Sequence, residues 1–143
     1  MQEIIDFAGR NALLSMAFVG LTLALIVTEI MRLFQGFKGI NPATMTRLMN
    51  HENALVVDLR SASDFQAGHI SGAKNVQMNQ FDPENKLLAN VKDLPIVLVC
   101  KAGNTASDAA KRLVKAGFKH VSVLDGGIGA WQSADLPLVK GRN

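Results

Sequence analysis

The sequence predicts an α/β domain, a mostly parallel sheet covered by helices on both faces, preceded by one N-terminal transmembrane helix. Three observations predict it. A long uncharged apolar run lies near the N-terminus, β-branched runs of strand length recur after it, and stretches of helical period separate those runs. The 143 residues suffice for one ordinary domain with an appended segment. Charged residues make up 19% and apolar residues 48%, which excludes a disordered chain and points to apolar residues concentrated outside a core.

Between Arg10 and Glu29 lie 18 residues without a formal charge, Asn11 to Thr28. As a helix they would measure about 27 Å, close to the hydrocarbon thickness of a bilayer. Ile30 and Met31 extend the run, so the span is expected over residues 11–31 within an N-terminal segment of residues 1–34. The leading residues include Glu3, Asp6 and Arg10, and no small-x-small site closes the run, so an uncleaved anchor is expected rather than a signal peptide. Arg10 alone precedes the span, whereas Arg32, Lys38 and Arg47 follow it. That asymmetry predicts a single-pass protein with its C-terminal domain in the cytoplasm. Ala17, Gly20 and Ala24 offer only a weak small-residue seam for a neighbouring helix.

Residues 35–39 (QGFKG) read as a linker, and residues 40–143 as the compact domain. Asn41 followed by Pro42 opens a helix reaching about Asn50. Strands are expected at Ala54–Leu59, Lys74–Met78, Ile96–Cys100 and Val121–Leu124. Ala106, Ala109, Ala110, Leu113 and Val114 recur at helical steps, with Gly117 as the stop. A short last helix is expected over Ile128–Ser133. Alternating strands and helices argue for parallel pairing buried on both faces.

The one cysteine excludes an internal disulfide, a Cys-x-x-Cys zinc ribbon and a dithiol redox pair. His51, His69 and His120 show no paired ligand spacing, so neither a metal nor a cofactor is expected. With 15 Lys+Arg against 12 Asp+Glu the net charge is +3, and no basic block speaks for nucleic acid. Cys100 closes the most apolar strand and precedes a glycine-bearing loop and a helix. Ligands of open α/β sheets bind beyond the carboxyl ends of strands, and successive loop N–H groups can converge there on an anion. The positive end of the following helix favours a thiolate nucleophile. These residues alone leave two readings: a reactive thiol, or a buried structural cysteine at a strand end.

The stretch VVDLRSASDFQAGHISGAKNV, Val56 to Val76, resembles the N-terminal hallmark of rhodanese-like domains, with D-x-R, an acidic–aromatic pair and G-H-I-x-G-A in place. CKAGNT is similar to the family's active-site loop, and VLDGGIGAW followed by QSADLP to its closing G-G-x-x-x-W…L-P element. The three blocks stand in family order from Ile40 to Leu138. The anchored single-domain layout also resembles a group of bacterial inner-membrane rhodanese-like proteins.

The resemblance implies sulfurtransfer through a persulfide on Cys100. The thiolate would take sulfane sulfur from thiosulfate or a protein persulfide and pass it to a thiol or cyanide. Lys101, Ala102, Gly103, Asn104 and Thr105 would form the substrate-binding loop, with backbone N–H groups on the anion. Lys101 is either an added cation for the donor or an ordinary solvated lysine. Thr105 stands where many thiosulfate-active members carry arginine, and Asp64 where the family usually has glutamate. The phosphate-gripping arginine of the related C-x5-R phosphatases is absent, Ala106 standing in its place. Asp58 and Arg60 are expected as pocket scaffold, with Arg60 paired to Asp58 or Asp64, and His69 as a packing and hydrogen-bonding residue. His51 and His120 are expected at the surface. Trp131 would pack the last helix on the sheet, and Asp125 to Gly127 would form a turn. A runner-up reading is a non-catalytic adaptor of the same fold, binding a membrane-protein partner at the inner membrane.

Overall fold

The computed structural model describes residues 1–142 and divides into two units, residues 1–35 and residues 36–142. The first unit is helical. Helix α1 (Gln2–Arg10) is followed, across a break at Asn11, by α2 (Ala12–Leu33). At about 1.5 Å per residue the 22 residues of α2 extend about 33 Å, enough for a bilayer core. No residue of α2 is buried, so it is not the core helix of this chain. Its few polar side chains are satisfied internally. The hydroxyls of Thr22 and Thr28 donate to the carbonyls of Phe18 and Leu25, each at 2.8 Å.

The second unit is built on a five-stranded, all-parallel sheet in the order β1-β5-β4-β2-β3. The strands are β1 (Phe37–Ile40), β2 (Leu55–Asp58), β3 (Lys74–Asn75), β4 (Ile96–Val99) and β5 (Val121–Leu124). Residues 35–39, read from sequence as a linker, are therefore partly sheet: Phe37 to Ile40 pair in register with Val121 to Leu124. The strand is four residues long, with Gly36 before it and Gly39 within it, too short and irregular to announce itself in the sequence. It is an edge strand whose partner, β5, supplies the ladder. The strand expected at Lys74–Met78 is only Lys74–Asn75, because Met78–Gln80 already turn in a 3-10 helix.

Helix α3 (Pro42–His51) begins as Asn41 and Pro42 dictate, the Asn41 side chain accepting the Thr44 N–H at 2.8 Å. Helix α4 (Ala62–Ala67) is capped in the same way by Ser61, and α5 (Lys86–Ala89) by Asn85. Helices α6 (Asn104–Lys115) and α7 (Gly127–Ser133) complete the unit.

The period-two alternation of the buried strands sorts the core into two layers. On one face Val57, Leu59, Ile96, Leu98 and Cys100 pack with Ala106, Ala109, Ala110 and Leu113 of α6 and with Leu88 of α5. On the other, Val56, Val97, Val99 and Leu124 pack with Met45 of α3, Phe65 of α4 and Ile128 and Trp131 of α7. The alanines of α6 are fully buried, which lets that helix lie close to the sheet.

Candidate functional site

Cys100 immediately follows β4, the central strand, at its carboxyl end. The connection leaving β4 through α6 runs to β5 on one side, whereas the connection leaving β2 through α4 runs to β3 on the other. The gap between β2 and β4 is thus the topological switch point, where open α/β sheets bind ligands. The alternation along β4 directs the Cys100 side chain to the α6 face, with Leu98.

The sulfur has a specific partner. The backbone N–H of Gly103 donates to Cys100 Sγ at 2.8 Å. That contact needs the chain to double back within three residues, which Gly103 permits by adopting φ +103° at the N-cap of α6. Asn104 and Thr105, expected in the loop, already form the first turn of α6. Their N–H groups and that of Ala106 lie where a helix has no internal acceptors, beside the loop that carries the sulfur. Ser107 closes the turn, its N–H and hydroxyl donating to the Gly103 carbonyl at 3.2 and 3.1 Å. Cys100 is 5% exposed, whereas Lys101, Ala102, Asn104 and Thr105 are exposed and Gly103 is half-buried. Lys101 has no ion pair among the described residues.

The turn after β5 supports this loop from beneath. Ile128 N–H donates to the Cys100 carbonyl at 3.0 Å. Gly127 comes so close that a Cβ there would stand 2.2 Å from the Cys100 carbonyl oxygen and 2.6 Å from that of Lys101. Gly126 and Gly127 both have positive φ, +75° and +60°. From sequence this segment reads simply as a turn. Its role as the seat of the cysteine loop is the functional feature that reading missed, and the tandem glycine after a buried strand was the available signal.

Asp58 and Arg60 occupy a different place from the sulfur. Asp58 aligns with Val99, so its side chain shares the face of Val99, opposite to that of Cys100. It is fully buried and held by Arg60 Nη2 and Nε at 2.8 and 3.1 Å, with the Arg60 N–H adding a third bond at 3.0 Å. Arg60 Nη2 also donates to the Gly68 carbonyl at 2.7 Å. Asn75 Nδ2 donates to the carbonyls of Asp58 and Arg60, each at 3.0 Å. The pair therefore clips the end of β2 to α4 and β3. Asp64, the other partner considered for Arg60, is exposed in the first turn of α4.

His69 is fully buried, its ring stacked on Phe65 at 3.8 Å and its Nδ1 2.8 Å from the Phe65 carbonyl. It is committed to packing, as expected. Trp131 is buried against the sheet and its Nε1 donates to the Pro137 carbonyl at 3.0 Å. His51 and His120 are exposed. No group of three or more His, Cys, Asp or Glu side chains able to hold a metal occurs among the described residues.

Comparison with known proteins places this geometry in a wider set. The rhodanese-like domain family matches residues 41–134. The uncharacterized protein YibN of Escherichia coli K12 is 41% identical over 143 residues, covering 99% of this chain and 100% of that protein. The thiosulfate sulfurtransferase GlpE of Pseudoalteromonas translucida is 36% identical over 101 residues, covering 68% of this chain and 91% of that protein. Among solved structures, a thiosulfate sulfurtransferase from Pseudomonas aeruginosa superposes with a TM-score of 0.66 at 27% identity. That match covers 74% of this chain but only 20% of the larger protein.

Proposed function

Because the chain belongs to the rhodanese-like domain family, we propose that it is a membrane-anchored sulfurtransferase that carries sulfane sulfur as a persulfide on Cys100. The observation that carries this reading is the environment of the thiol. It is the only one in the chain, it sits at the switch point of the sheet, and a loop N–H points at its sulfur. The similarity to proteins named thiosulfate sulfurtransferase adds weight.

The chemistry follows two displacements. The Cys100 thiolate attacks the sulfane sulfur of thiosulfate; the S–S bond of the donor breaks and sulfite leaves with the electron pair. A cyanide or thiolate acceptor then attacks the outer sulfur of the persulfide, the new S–S bond breaks, and the Cys100 thiolate returns. A protein persulfide can replace thiosulfate, its own thiolate being the leaving group. In both half-reactions negative charge develops on sulfur at the loop. The Gly103 N–H and the open N–H groups at the start of α6 are the donors positioned to receive it. Lys101, exposed and without an ion pair among the described residues, adds a cation at the mouth for an anionic donor.

The same proposal assigns α2 as an uncleaved single-pass anchor in the inner membrane of a bacterial cell, with the C-terminal domain in the cytoplasm. The unburied apolar surface of α2 and the basic residues Arg32, Lys38 and Arg47 after it support that orientation. The adaptor reading would keep the fold and the anchor and leave Cys100 idle. Steady-state kinetics with thiosulfate and cyanide separate the two. Sulfurtransfer predicts ping-pong behaviour for the full-length protein and loss of turnover in Cys100→Ser, a near-isosteric change that leaves the fold intact. Turnover in Cys100→Ser near that of the parent, or none in either, would count against the enzyme.

A further inference from the structure

Helix α1 has two sharply different sides. At 3.6 residues per turn, Ile4, Ile5, Phe7 and Ala8 fall on one side, and Gln2, Glu3, Asp6 and Arg10 on the other. The apolar side is unpartnered: Ile4, Ile5 and Phe7 are 71%, 61% and 64% exposed. Exposed apolar side chains gathered on one face of a short helix call for a non-aqueous partner.

The chain itself indicates which. Helix α1 leads directly into α2, the helix of bilayer-spanning length, and the break between them is built rather than frayed. Asn11 adopts φ −120° and ψ 51°, outside helical values, so the axis changes direction there. The Ala8 carbonyl, freed by the break, receives the Ser15 hydroxyl at 3.2 Å. The Phe7 carbonyl keeps the Asn11 N–H and gains Asn11 Nδ2, both at 3.1 Å. The first N–H groups of α2 have no acceptor within that helix and no side-chain cap, so the turn suits the hydrated level of the headgroups, where water can bond them.

We propose that α1 is an interfacial helix, lying in the plane of the membrane on the side opposite the C-terminal domain, with Ile4, Ile5 and Phe7 inserted among the acyl chains. This rests on the reading of α2 as a membrane span. The occupant of the apolar face is lipid because that face joins α2 across a single residue, and the polar face turns its charges to water. Two carboxylates against one guanidinium leave no basic patch, so attachment depends on apolar burial and not on anionic lipid. Continuing α1 straight into the bilayer would carry Glu3, Asp6 and Arg10 toward hydrocarbon, which charged side chains resist. The device sets the depth and rotation of α2 by pinning one of its ends at the interface.

Site-directed spin labelling of the full chain in liposomes tests this. In a Cys100→Ser background, single labels are introduced by Gln2→Cys, Ile4→Cys, Asp6→Cys, Phe7→Cys and Leu21→Cys. Accessibility to oxygen, which partitions into lipid, is compared with accessibility to a water-soluble nickel chelate. The expected result is a severalfold higher oxygen-to-nickel ratio at Ile4 and Phe7 than at Gln2 and Asp6. It should be unchanged between zwitterionic and anionic vesicles, with Leu21 fully lipid-exposed. A lipid-exposed Leu21 with all four α1 positions in water would overturn the interfacial helix while leaving the span intact. All four in lipid, or Ile4 and Phe7 shielded from both reagents, would likewise overturn it, in favour of a straight continuation or a protein contact. An aqueous Leu21 would overturn the span and this inference together.

Discussion

The sulfur of Cys100 owes its setting to two glycines that work in different ways. Gly103 turns the chain so that its own N–H meets the sulfur, and Gly127 lets the β5–α7 turn approach the carbonyls of Cys100 and Lys101. The second requirement is steric and can be isolated. In Gly127→Ala a methyl group would meet backbone oxygen at 2.2 Å, at a φ of +60° that alanine adopts reluctantly. We expect a loss of about 2 kcal/mol or more, read as a lower melting temperature of the full-length protein in detergent by the fluorescence of Trp131, its one tryptophan. Gly129→Ala is the control. Its added methyl would find the Lys101 carbonyl oxygen no nearer than 4.0 Å, inside a helix that favours alanine, so stability should be unchanged or slightly raised. Equal effects of the two substitutions would show that the close approach at Gly127 does not matter.

At the level of elements, the Asp58–Arg60 pair ties the end of β2 to α4 and β3. Arg60→Ala would leave a fully buried carboxylate with the residue-60 N–H but no guanidinium, and the Gly68 carbonyl without its donor. A cost of about 3 kcal/mol is expected for breaking such a pair from one side, measured by urea unfolding. Asp64→Asn, at an exposed position with no ion pair among the described residues, should fall within about 0.5 kcal/mol of the parent. A neutral Arg60→Ala would remove the clip from the account. The strongly apolar strands and the alanine-periodic helix were legible in the sequence because burial imposes their pattern directly: β2, β4, β5 and α6 stand within a residue or two of where composition and period put them. Capping made α3 legible too. What the sequence concealed were elements too short to show a period. These are β1, held by its pairing with β5, and α4 and α5, held by single side-chain caps from Ser61 and Asn85. Helix α1 was hidden for another reason: its charges set it apart from the span, and its apolar side emerges only when the residues are wound on a helix. The candidate loop was legible as a cysteine–glycine motif, but not the face on which Asp58 lies, which depends on strand register.

For the whole molecule, the proposed anchor and the domain would together make a membrane-tethered thiol. Orientation is the first matter to test. A reporter fused after residue 143 should behave as cytoplasmic, since Arg32, Lys38 and Arg47 follow the span and only Arg10 precedes it. A reporter active only outside the cytoplasm would place Cys100 in an oxidising compartment and overturn the proposed topology. Cytoplasmic placement would keep the thiol reduced and available to sulfur donors there. The central claim, that Cys100 carries sulfur, is tested most directly by intact-mass spectrometry. The full-length protein is incubated with thiosulfate and freed of excess donor before measurement. The account predicts a gain of one sulfur atom, mapped to the peptide containing Cys100, lost again as thiocyanate when cyanide is added, and absent in Cys100→Ser. An unchanged mass, in protein whose Cys100 can still be alkylated, would contradict it.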